Sequence, residues 1–193
     1  MEDKKKKTIC VYCSSSSHLD SRYYEDAENL GRRIGSEGFD MVYGGTEIGM
    51  MGVIASNAMK NGSSVTGVIP ECILSFGFKN LEQSRVIITK DMRERKAVME
   101  ERADIFIAAP GGFGTFEEVF EILVSKQLGC HNKPVIFFNS CGYYDNLVKM
   151  FDAVYENKFA KEEAKKLYRI SNTIDDIFNY IKSYVPEKFS IKW

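Results

Sequence analysis

The sequence predicts an α/β chain built on a doubly wound parallel sheet with helices on both faces. Two observations carry that prediction. Short apolar runs of strand length alternate with helix-period stretches along the whole chain. Two of those runs end in glycine-rich turns that lead straight into a helical pattern: Gly44-Gly45-Thr46-Glu47-Ile48-Gly49 and Pro110-Gly111-Gly112-Phe113-Gly114-Thr115. Turns of this kind in the same context place both loops at the carboxyl edge of one sheet, where open α/β sheets bind ligands. At 193 residues, the length suits a single domain spanning residues 1–193, with residues 1–7 as a disordered tail.

Residues 8–13 form the first expected strand, ending in Ser14-Ser15-Ser16-Ser17, a loop rich in hydroxyl and N–H donors. Asp20 caps a helix to about Glu37, with Ala27, Leu30 and Ile34 on one face and Gly38 as its stop. Strand 39–43 leads through the first glycine turn into a helix from Met50 to Asn61, whose methionines suit core filling or an interface. Strand 64–69 is stopped by Pro70, and residues 71–84 show no clear period, as a flap or an ordinary connection would. Strand 85–89 is followed by a helix opened by Asp91 and Glu94 at capping-box spacing. Strand 104–108 precedes the second glycine turn and a helix to about Leu128. Then come strand 134–138 and a helix 143–156 with Leu147, Met150, Phe151 and Val154 on one face. A short helix near Glu162, a strand at 167–170 and a last helix 175–184 complete the chain.

Composition excludes several function classes. A net charge of −1 argues against broad binding to nucleic acid or to an anionic membrane. No apolar run is long enough to cross a bilayer as a helix, and no signal-peptide pattern is present, so a cytoplasmic protein is expected. Five cysteines, an odd number, fit a reducing compartment. Cys10 and Cys13 are spaced as C-x-x-C, but on a strand they face opposite ways with Cα atoms about 10 Å apart, beyond disulfide reach.

The second glycine turn holds the clearest candidate site. Glycines let backbone N–H groups approach a ligand, and with the positive end of the following helix they form an anion site suited to phosphate. Thr115 adds a hydroxyl at the helix start, and Glu118 projects from the first turn, where it would serve a part of the ligand other than its phosphate. An ordinary capped turn, with Thr115 or Gly114 as cap and Glu118 as capping-box partner, gives the same local pattern. Arg93, Arg95 and Lys96 open the helix after Asp91, where cations oppose the helix dipole at a cost of up to about 1 kcal/mol each. A partner anion is therefore expected, either a ligand phosphate or a carboxylate such as Glu118, unless Glu94, Glu100 and Glu101 balance a solvated face.

Other chemistries fit less well. Neither loop has the G-x-G-x-x-G spacing of a dinucleotide site, and no phosphate-loop Gly-Lys-Ser/Thr occurs. Two histidines without clustered ligands do not make a zinc site, and no lysine stands out as a Schiff-base partner for pyridoxal phosphate. A mononucleotide site with an acid and a base-rich helix remains.

The string Pro110-Gly111-Gly112-x-Gly114-Thr115-x-x-Glu118 resembles the signature of the LONELY GUY family, whose members have often been labelled lysine decarboxylases. Val11-Tyr12-Cys13-Ser14-Ser15-Ser16, Val42-Tyr43-Gly44-Gly45 with Gly49 and Gly52, and Met92-x-x-Arg95-Lys96 extend the resemblance over nearly the whole chain. Departures fall at Ser14, Thr46 and Arg93, and residues 71–84 match poorly; they bear on substrate identity more than on reaction type. The resemblance implies a Rossmann-like fold and hydrolysis of the N-glycosidic bond of a nucleoside 5′-monophosphate, cytokinin-type or purine, to free base and ribose 5-phosphate. It implies no metal or cofactor, and a homodimer with the site near the interface. By the same resemblance Glu118 and Arg95 are the catalytic pair. Glu117 assists, Gly111, Gly112, Phe113, Gly114 and Thr115 hold the 5′-phosphate, and Ser14, Gly45 and Lys96 supply further substrate contacts. Two alternatives stay open: a non-catalytic carrier of a nucleotide or nucleotide-bearing cofactor, and a nucleosidase of general purine or pyrimidine monophosphates.

Overall fold

Side-chain alternation along the strands sorts the core into two layers. On β1 (Thr8–Tyr12), Ile9 and Val11 join one apolar cluster while Cys10 and Tyr12 join the other. The computed structural model describes residues 6–76 and 84–187. Seven parallel strands run in the order β4-β3-β2-β1-β5-β6-β7. The others are β2 (Asp40–Tyr43), β3 (Val65–Pro70), β4 (Arg85–Thr89), β5 (Ile105–Ala108), β6 (Val135–Phe138) and β7 (Arg169–Ser171). Registers such as Val11↔Tyr43 and Val11↔Ile107 make β1 the hinge of the winding, and the strand order reverses between β1 and β5.

Helices α1 (Ser21–Ser36), α2 (Gly49–Lys60) and α7 (Ile174–Ser183) cover one face, contributing Leu30, Ile54 and Phe178 to the first cluster. Helices α4 (Met92–Arg102) and α5 (Phe113–Gln127) cover the other with Met99, Val119 and Ile122, and α6 (Asp145–Glu156) packs beside them through Leu147 and Phe151. Cys10 and Cys13 are buried in different clusters, on opposite faces of the sheet.

Some boundaries differ from expectation. The Lys7 carbonyl accepts the Asp40 N–H, so the sheet begins before the tail was expected to end, and residues 1–5 lie outside the described residues. Pro70 closes β3 as its last residue, opposite Thr89 of β4, instead of stopping the strand at Ile69. The stretch expected to be aperiodic opens with one helical turn, α3 (Glu71–Leu74), while residues 77–83, like Trp193, lie outside the described residues. Met150 is 62% exposed: α6 packs through Leu147, Phe151 and Tyr155 instead.

Helix α1 sits so close on α2 that a Cβ at Gly31 would lie 2.3 Å from the Ile54 carbonyl oxygen. Helix propensity alone would make Gly31→Ala stabilising by roughly 1 kcal/mol. The backbone contact reverses the sign, since overpacking costs about 1–3 kcal/mol. Urea denaturation of Gly31→Ala is expected to show a lower midpoint than wild type; a higher one would mean that the two helices part without cost.

Candidate active site

The reversal of strand order places the loops after β1 and β5 side by side, and main-chain bonds fasten them. Ser14 N–H donates to the Pro110 carbonyl at 2.9 Å, and Met51 N–H at the start of α2 donates to the Ser14 carbonyl at 3.3 Å. The Tyr24 hydroxyl donates to the Ser16 carbonyl at 3.2 Å. Three loop segments, after β1, β2 and β5, thus ring one cavity of about 390 Å³. That is within the usual range of small-molecule sites. A larger hollow of about 900 Å³, between the end of α6 and the 3-10 turn Glu162–Leu167, contains none of the expected site residues.

Helix α5 begins at Phe113, earlier than a Thr115 cap would allow, and its cap residue Gly112 offers no side-chain hydrogen bond. The first intrahelical bond runs from Phe116 N–H to the Gly112 carbonyl, so the amides of Phe113, Gly114 and Thr115 precede the ladder at the positive end of the dipole. Because of this earlier start, Glu118 lies in the second turn and not the first, and is not the capping-box partner of Thr115. Gly112, Gly114, Thr115, Glu117 and Glu118 line the cavity together with Ser14, Ser15 and Ser16.

Arg95 and Glu118 meet there. Arg95 Nη1 donates to Glu118 Oε1 at 2.6 Å, and both residues are 7% exposed. Arg95 Nε donates to the Val68 carbonyl at 3.1 Å, which anchors the guanidinium to β3. A Cβ at Gly44 would lie 2.3 Å from Arg95 Nη2, so only glycine lets the guanidinium pass. Among the described residues no hydrogen bond engages Glu118 Oε2. Burial pushes the Glu118 carboxyl above the usual glutamate range, against the opposing pull of Arg95. Of the cations that open α4, Arg95 thus finds its anion in Glu118.

Lys96 takes a different partner. Its ammonium pairs with Glu117 and Glu121 across α5; partial burial opposes its charge, but these two carboxylates hold its pKa above the ordinary lysine value. Lys96 does not line the cavity, and neither do three of the expected glycine-loop residues. Gly45 is buried against Ile69 and Gly67 of β3, Gly111 lies behind the rim, and Phe113 is 94% exposed.

The rest of the lining is Gly44, Thr46 and an apolar stretch of Cys13, Ile48, Met51, Ile73 and Met92. In the sequence Cys13, Ile48 and Met92 stand only inside motif strings, Met51 reads as core filling or interface, and Ile73 carries no signal. Ile48, Ile73 and Met92 sit at element ends, where hydrophobic periodicity carries no signal. Two tyrosines behind the loop were equally invisible. Tyr143 Oη donates to the Gly111 carbonyl at 2.5 Å and Tyr144 Oη to the Ala109 carbonyl at 2.9 Å.

Comparison with known proteins gives the family. Residues 51–181 match the family model described as "Possible lysine decarboxylase". A cytokinin riboside 5′-monophosphate phosphoribohydrolase of Arabidopsis thaliana is 36% identical over 186 residues, covering 96% of this chain and 86% of the relative. One of Oryza sativa subsp. japonica is 37% identical over 179 residues, 93% of this chain and 74% of the relative. The chain belongs to the LONELY GUY family. Solved structures show the fold more widely. The molybdenum cofactor binding protein of Rippkaea orientalis superposes with a TM-score of 0.71 at 22% identity, covering 93% of this chain and 98% of that one. The molybdenum cofactor carrier protein of Chlamydomonas reinhardtii gives 0.71 at 20%, covering 92% and 97%. At such identities the likeness is one of Rossmann-like architecture alone. No helix among the described residues of this LONELY GUY chain is long and apolar enough to cross a membrane.

A raised carboxyl pKa means that the folded state favours the proton. The contribution of Glu118 to stability is therefore complete below the ordinary glutamate value and is lost as pH rises through the raised one. A carbon-13 NMR titration, with Glu118→Gln for assignment, is expected to place the Glu118 midpoint above about 4.3. A midpoint at or below that value would show that Arg95 outweighs burial.

Proposed function

We propose that this protein hydrolyses the N-glycosidic bond of a nucleoside 5′-monophosphate, cytokinin-type or purine, releasing the base and ribose 5-phosphate. The observation that carries the reading is the buried Arg95–Glu118 pair opening on a cavity at the amide tip of α5. Family relatives named as phosphoribohydrolases of cytokinin riboside 5′-monophosphates support it. The name of the family model does not carry over to the chemistry. A lysine decarboxylase needs a Schiff-base lysine, and none lines the cavity among the described residues.

In this reading the 5′-phosphate sits on the amides of Gly112, Gly114 and Thr115, with the Ser14 loop closing the other side. The base lies along the apolar wall of Ile48, Met51, Ile73 and Met92. The ribose then spans the gap to Glu118. Cleavage leaves positive charge on the sugar ring as the base departs. The ionised Glu118 carboxylate stabilises that charge and takes the proton of the attacking water through Oε2, which no protein donor occupies among the described residues. Arg95 favours the ionised form of Glu118 against the effect of burial and aims it, and Glu117, steadied by Lys96, holds ribose hydroxyls. The water oxygen bonds to the anomeric carbon, the base leaves with the glycosidic electron pair and takes a proton from solvent, and Glu118 returns the water's proton to solvent. The reaction draws on no metal or cofactor. We take the protein to be a cytoplasmic homodimer that does not act on nucleic acid or membranes.

Incubation with AMP and with N6-isopentenyl AMP, followed by chromatography of free base and ribose 5-phosphate, tests the proposal. Wild type is expected to release both products, and Glu118→Gln to lose about 10²- to 10⁴-fold in kcat. Tight binding of both nucleotides without turnover by wild type would replace the hydrolase with a carrier.

A further inference from the structure

The tyrosine pair behind the glycine loop has a geometry that the hydrolase reading does not use. Tyr143 and Tyr144 follow the 3-10 turn Ser140–Gly142 at the carboxyl end of β6, on the far side of β5 from the Ser14 loop. Their rings meet edge to face at 5.0 Å, and the Tyr144 ring also packs on Phe116 of α5 and Phe137 of β6. Asn139 fixes the turn from behind: its Oδ1 accepts the Tyr144 N–H at 2.6 Å, and its Nδ2 donates to Asp145 and Asn172. From this rigid mount the two hydroxyls reach alternate carbonyls of the loop, Ala109 and Gly111.

In a trans peptide the carbonyl and the following N–H point in opposite directions, and the chain has no cis peptide among its described residues. A hydroxyl that holds a carbonyl on one side therefore aims the next amide to the other. Tyr143, packed edge to face on Tyr23 of α1, holds the Gly111 carbonyl on its own side, so the Gly112 N–H turns away from the tyrosine, and Gly112 lines the cavity. Tyr144 holds the Ala109 carbonyl in the same way, but the next residue is Pro110, which has no N–H to aim. We propose that Tyr143 is a positioning residue that presents the Gly112 amide to the substrate phosphate, whereas Tyr144 only anchors the loop. The assignment rests on the placement of the phosphate at the tip of α5.

The two tyrosines control each other. Calorimetric titration of wild type, Tyr143→Phe and Tyr144→Phe uses two probes: ribose 5-phosphate, which carries the phosphate and is not cleaved, and adenosine, which lacks it. Tyr143→Phe is expected to weaken ribose 5-phosphate binding by about three- to tenfold, the worth of one hydrogen bond, and to leave adenosine unchanged. With AMP as substrate its KM rises while kcat stays near wild type. Tyr144→Phe is expected to lower the melting temperature and to leave both affinities unchanged. Equal loss of ribose 5-phosphate affinity in both variants, or none in Tyr143→Phe, overturns the assignment while leaving the phosphate site in place. A wild-type protein that shows no affinity for ribose 5-phosphate overturns the phosphate site, and the assignment with it.

Discussion

A single ion pair constrains this molecule more than any other contact. Arg95 comes from α4, Glu118 from α5, and the guanidinium reaches its partner only by passing Gly44 after β2 and resting on the Val68 carbonyl of β3. Four segments must therefore be in register before the pair can form. Both charges are almost fully removed from water, and a buried pair of this kind adds little to stability compared with an apolar pair of the same size. Losing one partner is another matter: the orphaned charge costs roughly 3–5 kcal/mol. The pair thus holds an acid at a fixed point facing a cavity, at some expense to the fold.

Around that point the work divides by polarity. The amide tip of α5 and the serine loop after β1 supply donors, while Ile48, Met51, Ile73 and Met92 supply an apolar wall. Glu118 stands between the two. A ligand with an anionic end and a flat apolar end, joined by a polar ring, meets each surface in turn. Lys96 contributes indirectly, by neutralising Glu117 and Glu121 so that three neighbouring carboxylates on α5 do not repel one another.

Much of this was legible in the sequence wherever the signal was local. Strand alternation, helix caps at Asp20 and Asp91, and two glycine turns after apolar runs all report on neighbours within a few residues, and β4 matched its expected bounds. The surplus of cations at the start of α4 pointed to a partner anion as one of two readings, a solvated face being the other, and Arg95 has that partner in Glu118. What stayed hidden depends on contacts distant in sequence. Gly45 has the composition of a ligand loop but turns toward β3, and Lys96 has the charge of a phosphate ligand but is taken by Glu117 and Glu121. Tyr143 and Tyr144 look like the ordinary start of an amphipathic helix, yet their hydroxyls end on the backbone of a loop more than 30 residues earlier. Met150 fits the apolar stripe of α6 but faces outward, since helix period fixes a face only to within a residue.

The measurement closest to the central claim is a crystal structure of Glu118→Gln soaked with AMP, since the variant keeps side-chain shape and, on the proposed mechanism, slows turnover. The account predicts the phosphate within hydrogen-bond reach of the Gly112, Gly114 and Thr115 amides, with the anomeric carbon beside the side chain at position 118. A nucleotide bound elsewhere, or with its sugar turned away from that side chain, would contradict it.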